Sequence, residues 1–410
     1  MPAIDPIPKM PLLTQTLWRG TGRDKLHYPS VLDRPNLYHF NWAREGLEMA
    51  LRALGLKPND EVLLPAYHCL SMITPVLRAG GQPTFYPVQA DTRIEVSELS
   101  RHITARTRVV IAPYFFGFDQ PMSAIRELCD RSGVTLIEDC AHALYGTPGG
   151  QPVGSIGHYA VASPWKFLPV TRGGCLVVND PVTHPAPKMP AGPTARAELK
   201  DGLNTLERSM DYGRLPLLNP FLRPILSLSE ALSRRRHSTQ GVEADSRPLD
   251  ESIAWADPPP APLSRVGRWL LQHSDRMAQC ELRREYYLRL AEAWRDLPGA
   301  TLLHRRLPDH VVPQVVPLTT RNPRDFAAAL LSEGIPVIRF GGQLWPRTPP
   351  QTCTNAPMLS ACVFQFPCHP SLTTAEVDSI ARRVRAILLN TPSGTPSPRD
   401  YGRSAEMEQP

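Results

Sequence analysis

Short apolar runs alternate with stretches in which apolar side chains recur every three or four positions. Residues 1–38 lie outside this pattern: prolines punctuate them, which predicts a segment that wraps the surface of the main domain. Leu47, Ala50, Leu51 and Leu54 then fall at helical spacing with Gly55 behind them, predicting a helix over 45–54. Residues 61–64 form a short apolar run closed by Pro65, the mark of a buried strand. The alternation continues through helices over 71–79 and 122–132 and strands over 83–88, 109–112 and 134–137. Two more strands, over 159–163 and 175–179, are joined by a connection that holds Gly173 and Gly174. Such alternation predicts an α/β fold with a mostly parallel sheet and helices on both faces, where ligands gather at the carboxyl ends of strands.

Beyond residue 180 the pattern degrades. Residues 181–262 are rich in proline and carry nothing that reads as core sheet. Within them, 219–226 is apolar but broken by Pro220 and Pro224, and the basic amphipathic stretch 225–236 reads as a helix packed on its own protein. A long charged helix is predicted over 272–296, ended by Pro298 and Gly299. After it come strands over 311–316 and 336–338 and helices over 325–332 and 374–388, enough for a small α/β domain. The polar tail from 391 reads as disordered. The division is therefore a wrapping segment 1–38, a large domain 39–262 that includes the irregular 181–262, a small C-terminal domain 263–390, and a tail 391–410.

Composition narrows the partners. In 410 residues, 45 basic side chains face 39 acidic ones, so the net charge of +6 is too mild to imply nucleic acid. The eight cysteines show no CxxC pair and no metal-ligand spacing, which predicts reduced thiols and no metal site. No segment has the length of a transmembrane span, and the first residues lack the basic start and apolar core of a signal peptide. A cytoplasmic protein is the expectation.

The candidate chemistry centres on one lysine. Lys166 stands in Ser163-Pro164-Trp165-Lys166-Phe167, 27 residues after Asp139, which closes the run that begins at Val134. A lysine between two buried strands can form a Schiff base with an aldehyde cofactor, and a strand-end carboxylate can keep a pyridine nitrogen protonated. Pyridoxal phosphate needs both.

With these motifs in order, residues 46–180 resemble the DegT/DnrJ/EryC1/StrS aminotransferases, pyridoxal-phosphate enzymes of fold type I that mainly aminate keto sugars attached to nucleotides. Residues 334–339 and 366–373 look like the same family's closing motifs, which leaves 181–262 outside the likeness. The resemblance implies that Asp139, in Ile137-Glu138-Asp139-Cys140-Ala141-His142, bonds the pyridine nitrogen and that His142 touches the ring hydroxyl and covers the ring. It implies that Lys166 is the Schiff-base lysine and the base that moves a proton. Ser163 would give a hydroxyl to the phosphate, although Lys166 follows it by only three positions, about two fewer than the family's usual spacing. Where the family commonly has Ser-Gly-Thr at a helix start, this chain has Trp42-Ala43-Arg44, so the amides of Ala43 and Arg44 and the Arg44 guanidinium would hold the phosphate. At the family's stacking aromatic this chain has Tyr67-His68-Cys69: a literal alignment puts Cys69 at that place, and Tyr67 or His68 beside it is the candidate ring. Arg339 and His369 lie within reach of the substrate mouth but are assigned no catalytic role. The resemblance further implies glutamate or glutamine as amino donor, a nucleotide-linked keto sugar as acceptor in polysaccharide or secondary-metabolite synthesis, and a homodimer. Two alternatives stay open: a non-sugar ketone or amino acid as substrate, and a non-catalytic cofactor-binding regulatory or scaffold protein.

Overall fold

The computed structural model describes residues 6–14, 28–218, 258–349 and 354–390. Seven strands build its main sheet: β1 (Leu37–Phe40), β2 (Glu61–Pro65), β3 (Gln82–Tyr86), β4 (Thr107–Pro113), β5 (Thr135–Cys140), β6 (Tyr159–Ala162) and β7 (Gly174–Val178). Their order is β1-β7-β6-β5-β4-β2-β3, with β3 through β6 parallel and β7 antiparallel to both of its neighbours. Every residue of β2, β6 and β7 is buried. A sheet covered on both faces requires such continuous apolar runs.

Helices α1 (Ala43–Ala53), α2 (Leu70–Arg78), α3 (Val96–Arg101) and α4 (Met122–Ser132) connect the parallel strands. Gly133 ends α4 in the left-handed conformation (φ 64°), satisfying its last carbonyls at no steric cost. At the start of α1 the decisive glycine is Gly174. A Cβ placed there would lie 2.1 Å from the Trp42 carbonyl carbon and 2.3 Å from the Ala43 nitrogen. The neighbouring Gly173 N–H donates to Asn41 O at 2.8 Å. Strand β7 thus enters the sheet in backbone contact with the chain that opens α1.

The region after β7 differs from the sequence reading in several places. A regular helix, α5 (Ala195–Asp211), stands where no element was expected, capped by the Thr194 hydroxyl. A further helix that was not expected, α6 (Arg265–His273), precedes the charged helix expected over 272–296, which is α7 (Arg276–Ala293). The chain is extended at Ser274, and the Asp275 carboxylate caps α7 through Ala278 N–H. A second, three-stranded antiparallel sheet is ordered β10-β9-β8, from β8 (Ala300–Leu302), β9 (Val315–Thr320) and β10 (Val363–Pro367). The strand expected over 311–316 is thereby moved toward the C-terminus. The strand expected over 336–338 reduces to one bridge between Ile338 and Gln365. Helices α8 (Pro323–Ser332), α9 (Asn355–Cys362) and α10 (Thr374–Asn390) complete this part.

Near the N-terminus, Leu12 and Leu13 are buried, their amides donating to Ser371 Oγ and Ser209 Oγ, each at 3.0 Å. The basic stretch 225–236 and the tail 391–410 lie outside the described residues. Among the described residues, no helix is long and apolar enough to cross a membrane.

Gly174→Ala is expected to lower stability by about 3 kcal/mol, because the clash is with backbone that no side-chain rotation relieves. A urea midpoint matching the unsubstituted protein's would contradict the close crossing.

Candidate active site

The carboxyl ends of β2, β4, β5 and β6 meet at one edge of the sheet, and β1 delivers the start of α1 to the same edge. A cavity of about 240 Å³ opens there. Lys166, Asp139, His142, Ser163, Ala43 and Arg44 all line it. Six of the eight residues named from the sequence are therefore brought together.

The loop that carries Lys166 closes the antiparallel pair β6–β7. It contains one 3-10 turn, Pro164–Lys166, in which Lys166 N–H donates to Ser163 O at 3.0 Å. Burial lowers the Lys166 ammonium from its usual value, against the upward pull of Cys69 and Asp139. Asp139 is 7% exposed. Its Oδ1 accepts the Ala141 N–H at 2.9 Å. Burial raises its carboxyl, while the Ala141 amide and the Lys166 charge pull it down. Among the described residues Lys166 and Asp139 make no direct ion pair, and Asp139 Oδ2 has no partner.

Glu138, next along β5, is treated in the opposite way. It is fully buried, and its two oxygens accept the Tyr114 hydroxyl (3.0 Å) and the amides of Gly154 (2.8 Å), Ile156 (2.9 Å) and Gly157 (2.9 Å). Burial raises this carboxyl as well, and the four donors offset part of the rise. All four partners donate, so the group they fit is the carboxylate. Successive side chains on a strand point to opposite faces, and this sends Glu138 to structure and Asp139 to the cavity.

His142 is held as one tautomer. The Phe116 N–H donates to Nδ1 at 3.3 Å, which leaves the ring proton on Nε2, and the Phe116 ring stacks on the imidazole at 5.7 Å. Phe116 has φ 60°, a left-handed conformation costly for a residue with a Cβ. The neighbouring chain holds it there, its carbonyl accepting the Gln314 N–H at 3.0 Å. Burial, and then the Lys166 charge, push the imidazole well below its ordinary 6.5, so it is neutral. Among the described residues nothing accepts from Nε2.

The remaining wall is largely aromatic. The Trp42 and Trp165 rings meet edge to face at 5.6 Å, and the Arg44 guanidinium lies 5.1 Å from the Trp42 ring centre. Phe340 packs its ring edge to face on His142 at 4.8 Å. Trp42, Cys69, Tyr114, Trp165 and Phe340 also line the cavity, and none was singled out from the sequence as a site residue. Their signal was adjacency: each directly follows or precedes a motif residue or a strand end, but which side chain turns inward is decided by packing.

Tyr67 and His68 do not line the cavity, which corrects the expectation of a stacking ring from this pair. Tyr67 is fully buried behind Phe340: its hydroxyl donates to Phe340 O at 2.8 Å and its ring stacks on Phe115. His68 is spent on structure, with Nδ1 on the carbonyls of Pro65 and Ala66 and Nε2 accepting the Trp345 N–H at 3.1 Å. Cys69 faces the cavity instead. His369 and Arg339 are structural too: His369 bonds Pro8 O at 3.1 Å, and Arg339 donates to the carbonyls of Ser360 (2.7 Å) and Ala361 (3.0 Å).

The mostly parallel sheet flanked by helices is similar in fold to solved aminotransferases. Residues 39–189 match the model of the DegT/DnrJ/EryC1/StrS aminotransferase family. Two curated relatives are similar to part of the chain. The GDP-perosamine synthase of Vibrio cholerae is 30% identical over 136 residues, which is 33% of this chain and 37% of that protein. The dTDP-3-amino-3,4,6-trideoxy-alpha-D-glucose transaminase of Streptomyces venezuelae is 32% identical over 145 residues, 34% of this chain and 38% of that one. The chain thus spans less than two fifths of the length of either relative. In overall fold it is similar to the NtdA of Bacillus subtilis, solved with bound cofactor PMP, at a TM-score of 0.56 and 17% identity over 87% of this chain and 74% of that one.

The geometry at His142 sets a pH expectation. The unfolded chain takes up a proton below 6.5 that the folded imidazole refuses, so this group's contribution to stability is full above that value and is lost as pH falls. In ¹⁵N NMR of the folded protein, His142 should keep Nε2 protonated and Nδ1 bare from about pH 8 to about pH 5. Titration near the ordinary histidine value would refute the assignment.

Proposed function

We propose that the protein is a pyridoxal-phosphate-dependent aminotransferase that aminates a nucleotide-linked keto sugar. The observation that carries this reading is the convergence of Lys166, Asp139 and His142 on one cavity, where, among the described residues, Asp139 Oδ2 and His142 Nε2 have no protein partner. Polar atoms without partners at a cavity wall are available to a ligand.

The residues present fit the cofactor. Asp139 Oδ2 would hold the pyridine nitrogen and keep it protonated. His142 Nε2–H would donate to the ring hydroxyl. The first amides of α1, the Arg44 guanidinium and the Ser163 hydroxyl would hold the phosphate, with a charged donor where the family commonly has a neutral hydroxyl. When bound, the cofactor supplies an electron sink for the carbanion left after a Cα proton is removed. Lys166 is the amine that would bond the aldehyde carbon and, once displaced by the amino donor, take that proton. Its lowered basicity leaves more of it as free amine at neutral pH. The names of the two curated relatives support an amino-sugar nucleotide as product. Glutamate or glutamine as donor, a homodimer and a cytoplasmic site of action complete the proposal. A second reading, with a non-sugar ketone or amino acid as acceptor, is favoured by the apolar Trp42–Trp165 wall beside Arg44.

The test is the visible spectrum of the purified protein with pyridoxal phosphate, before and after single amino donors. A band that appears with the cofactor and is lost on adding a donor is expected; a protein left colourless by the cofactor would overturn both enzyme readings. Lys166→Ala should abolish the band and slow the donor reaction by roughly 10²–10⁴-fold. Arg44→Ala should leave the band but weaken cofactor binding roughly tenfold, measured by equilibrium titration.

A further inference from the structure

Lys166 is presented by a turn too short to hold itself. In the 3-10 turn Pro164–Lys166 the amides of Lys166 and Phe167 find carbonyls within the loop, but the carbonyls of Lys166 and Phe167 at its end have no such partner. Orphan carbonyls at a helical terminus need donors from elsewhere. They find them on α7, more than a hundred residues later. Arg283 Nη2 donates to Lys166 O at 3.0 Å and to Phe167 O at 3.1 Å, and its Nη1 donates to Gln314 O at 2.9 Å. The guanidinium carbon also lies over the Phe167 ring, 4.6 Å from its centre.

Arg283 is fully buried, yet among the described residues it forms no ion pair with a carboxylate. A guanidinium buried without a counter-ion is expensive, and the carbonyls it serves are what it has in return. The fork geometry matters: one planar group reaches two successive carbonyls on one side and a third on the other. A lysine ammonium is a single point donor and cannot lie on the Phe167 ring in the same way.

We infer that Arg283 is a positioning residue, the clamp that sets the direction and depth at which Lys166 enters the cavity. It touches neither substrate nor cofactor and acts only through the backbone on which Lys166 is mounted. The inference rests on the reading of Lys166 as the reactive amine, and its test separates the two.

The chain has six lysines, at 9, 25, 57, 166, 188 and 200, so ¹³C reductive methylation of the cofactor-free protein yields few signals. The Lys166 signal is the one missing in Lys166→Ala. In Arg283→Met the Lys166 midpoint should rise by about one pH unit as the released loop exposes the ammonium to water, with the other five unmoved. Arg283→Lys, which keeps the charge but not the fork, should shift it part of the way, and this variant decides the matter where Arg283→Met does not fold. A purely structural Arg283 would lower the melting temperature and leave the Lys166 midpoint in place, and that result overturns the inference. Failure of the unsubstituted protein to take up pyridoxal phosphate would sink the cofactor reading while leaving the methylation comparison intact.

Discussion

The buried carboxylate of Glu138 is the constraint on which the site depends. Strand β5 could carry Asp139 to the cavity without it, but the chain that returns to form β6, and with it the Lys166 loop, is tied to Glu138 through the amides of Gly154, Ile156 and Gly157. Tyr114, which follows β4 and lines the cavity, is tied to the same group. One fully buried carboxyl group on β5 therefore ties together the residue that follows β4 and the chain that enters β6. The close approach is built into the backbone: a Cβ at Gly157 would lie 2.8 Å from Glu138 Cβ.

A second device recurs at the helix ends. Arg283 and Arg339 both use a guanidinium to collect carbonyls at the end of a helical turn while lying over a phenylalanine, Phe167 in one case and Phe364 in the other. The donors satisfy the terminal carbonyls, and the positive charge sits at the negative end of the turn's dipole. The ring beneath replaces part of the lost hydration by a cation–π contact. In this way the second half of the chain holds the lysine loop of the first.

Six of the seven strands of the main sheet were legible because strands buried on both faces leave continuous apolar runs, whereas the half-buried edge strand β1 was missed at the end of the segment read as a surface wrap; the site was legible because strand ends and short motifs are local. Asp139, His142, Ser163, Lys166, Ala43 and Arg44 fell where the order of elements placed them. Tyr67 and His68 were misjudged because a loop's orientation is set by distant partners; the carbonyl that takes the Tyr67 hydroxyl belongs to Phe340, 273 residues away. Helix α5 was missed although Leu203, Leu206 and Met210 stand at helical spacing behind the Thr194 cap, because flanking prolines dominated the reading. The break between α6 and α7 depends on one carboxylate cap within an unbroken polar pattern. Arg283 is one of two adjacent arginines in a charged helix, and only the fold says which of them turns inward.

The short connection between Ser163 and Lys166 bears on when the cost of order is met. A longer, looser loop would leave the amine to be localised anew in each encounter with a ligand. Here Pro164 fixes one dihedral, the turn fixes the next residues, and strands β6 and β7 pin both ends, so the lysine's backbone loses its freedom once, during folding. On the function proposed, the entropy of placing the amine is thereby moved out of the encounter with a ligand and into the stability of the native state, and the chain accepts a less adaptable pocket in exchange.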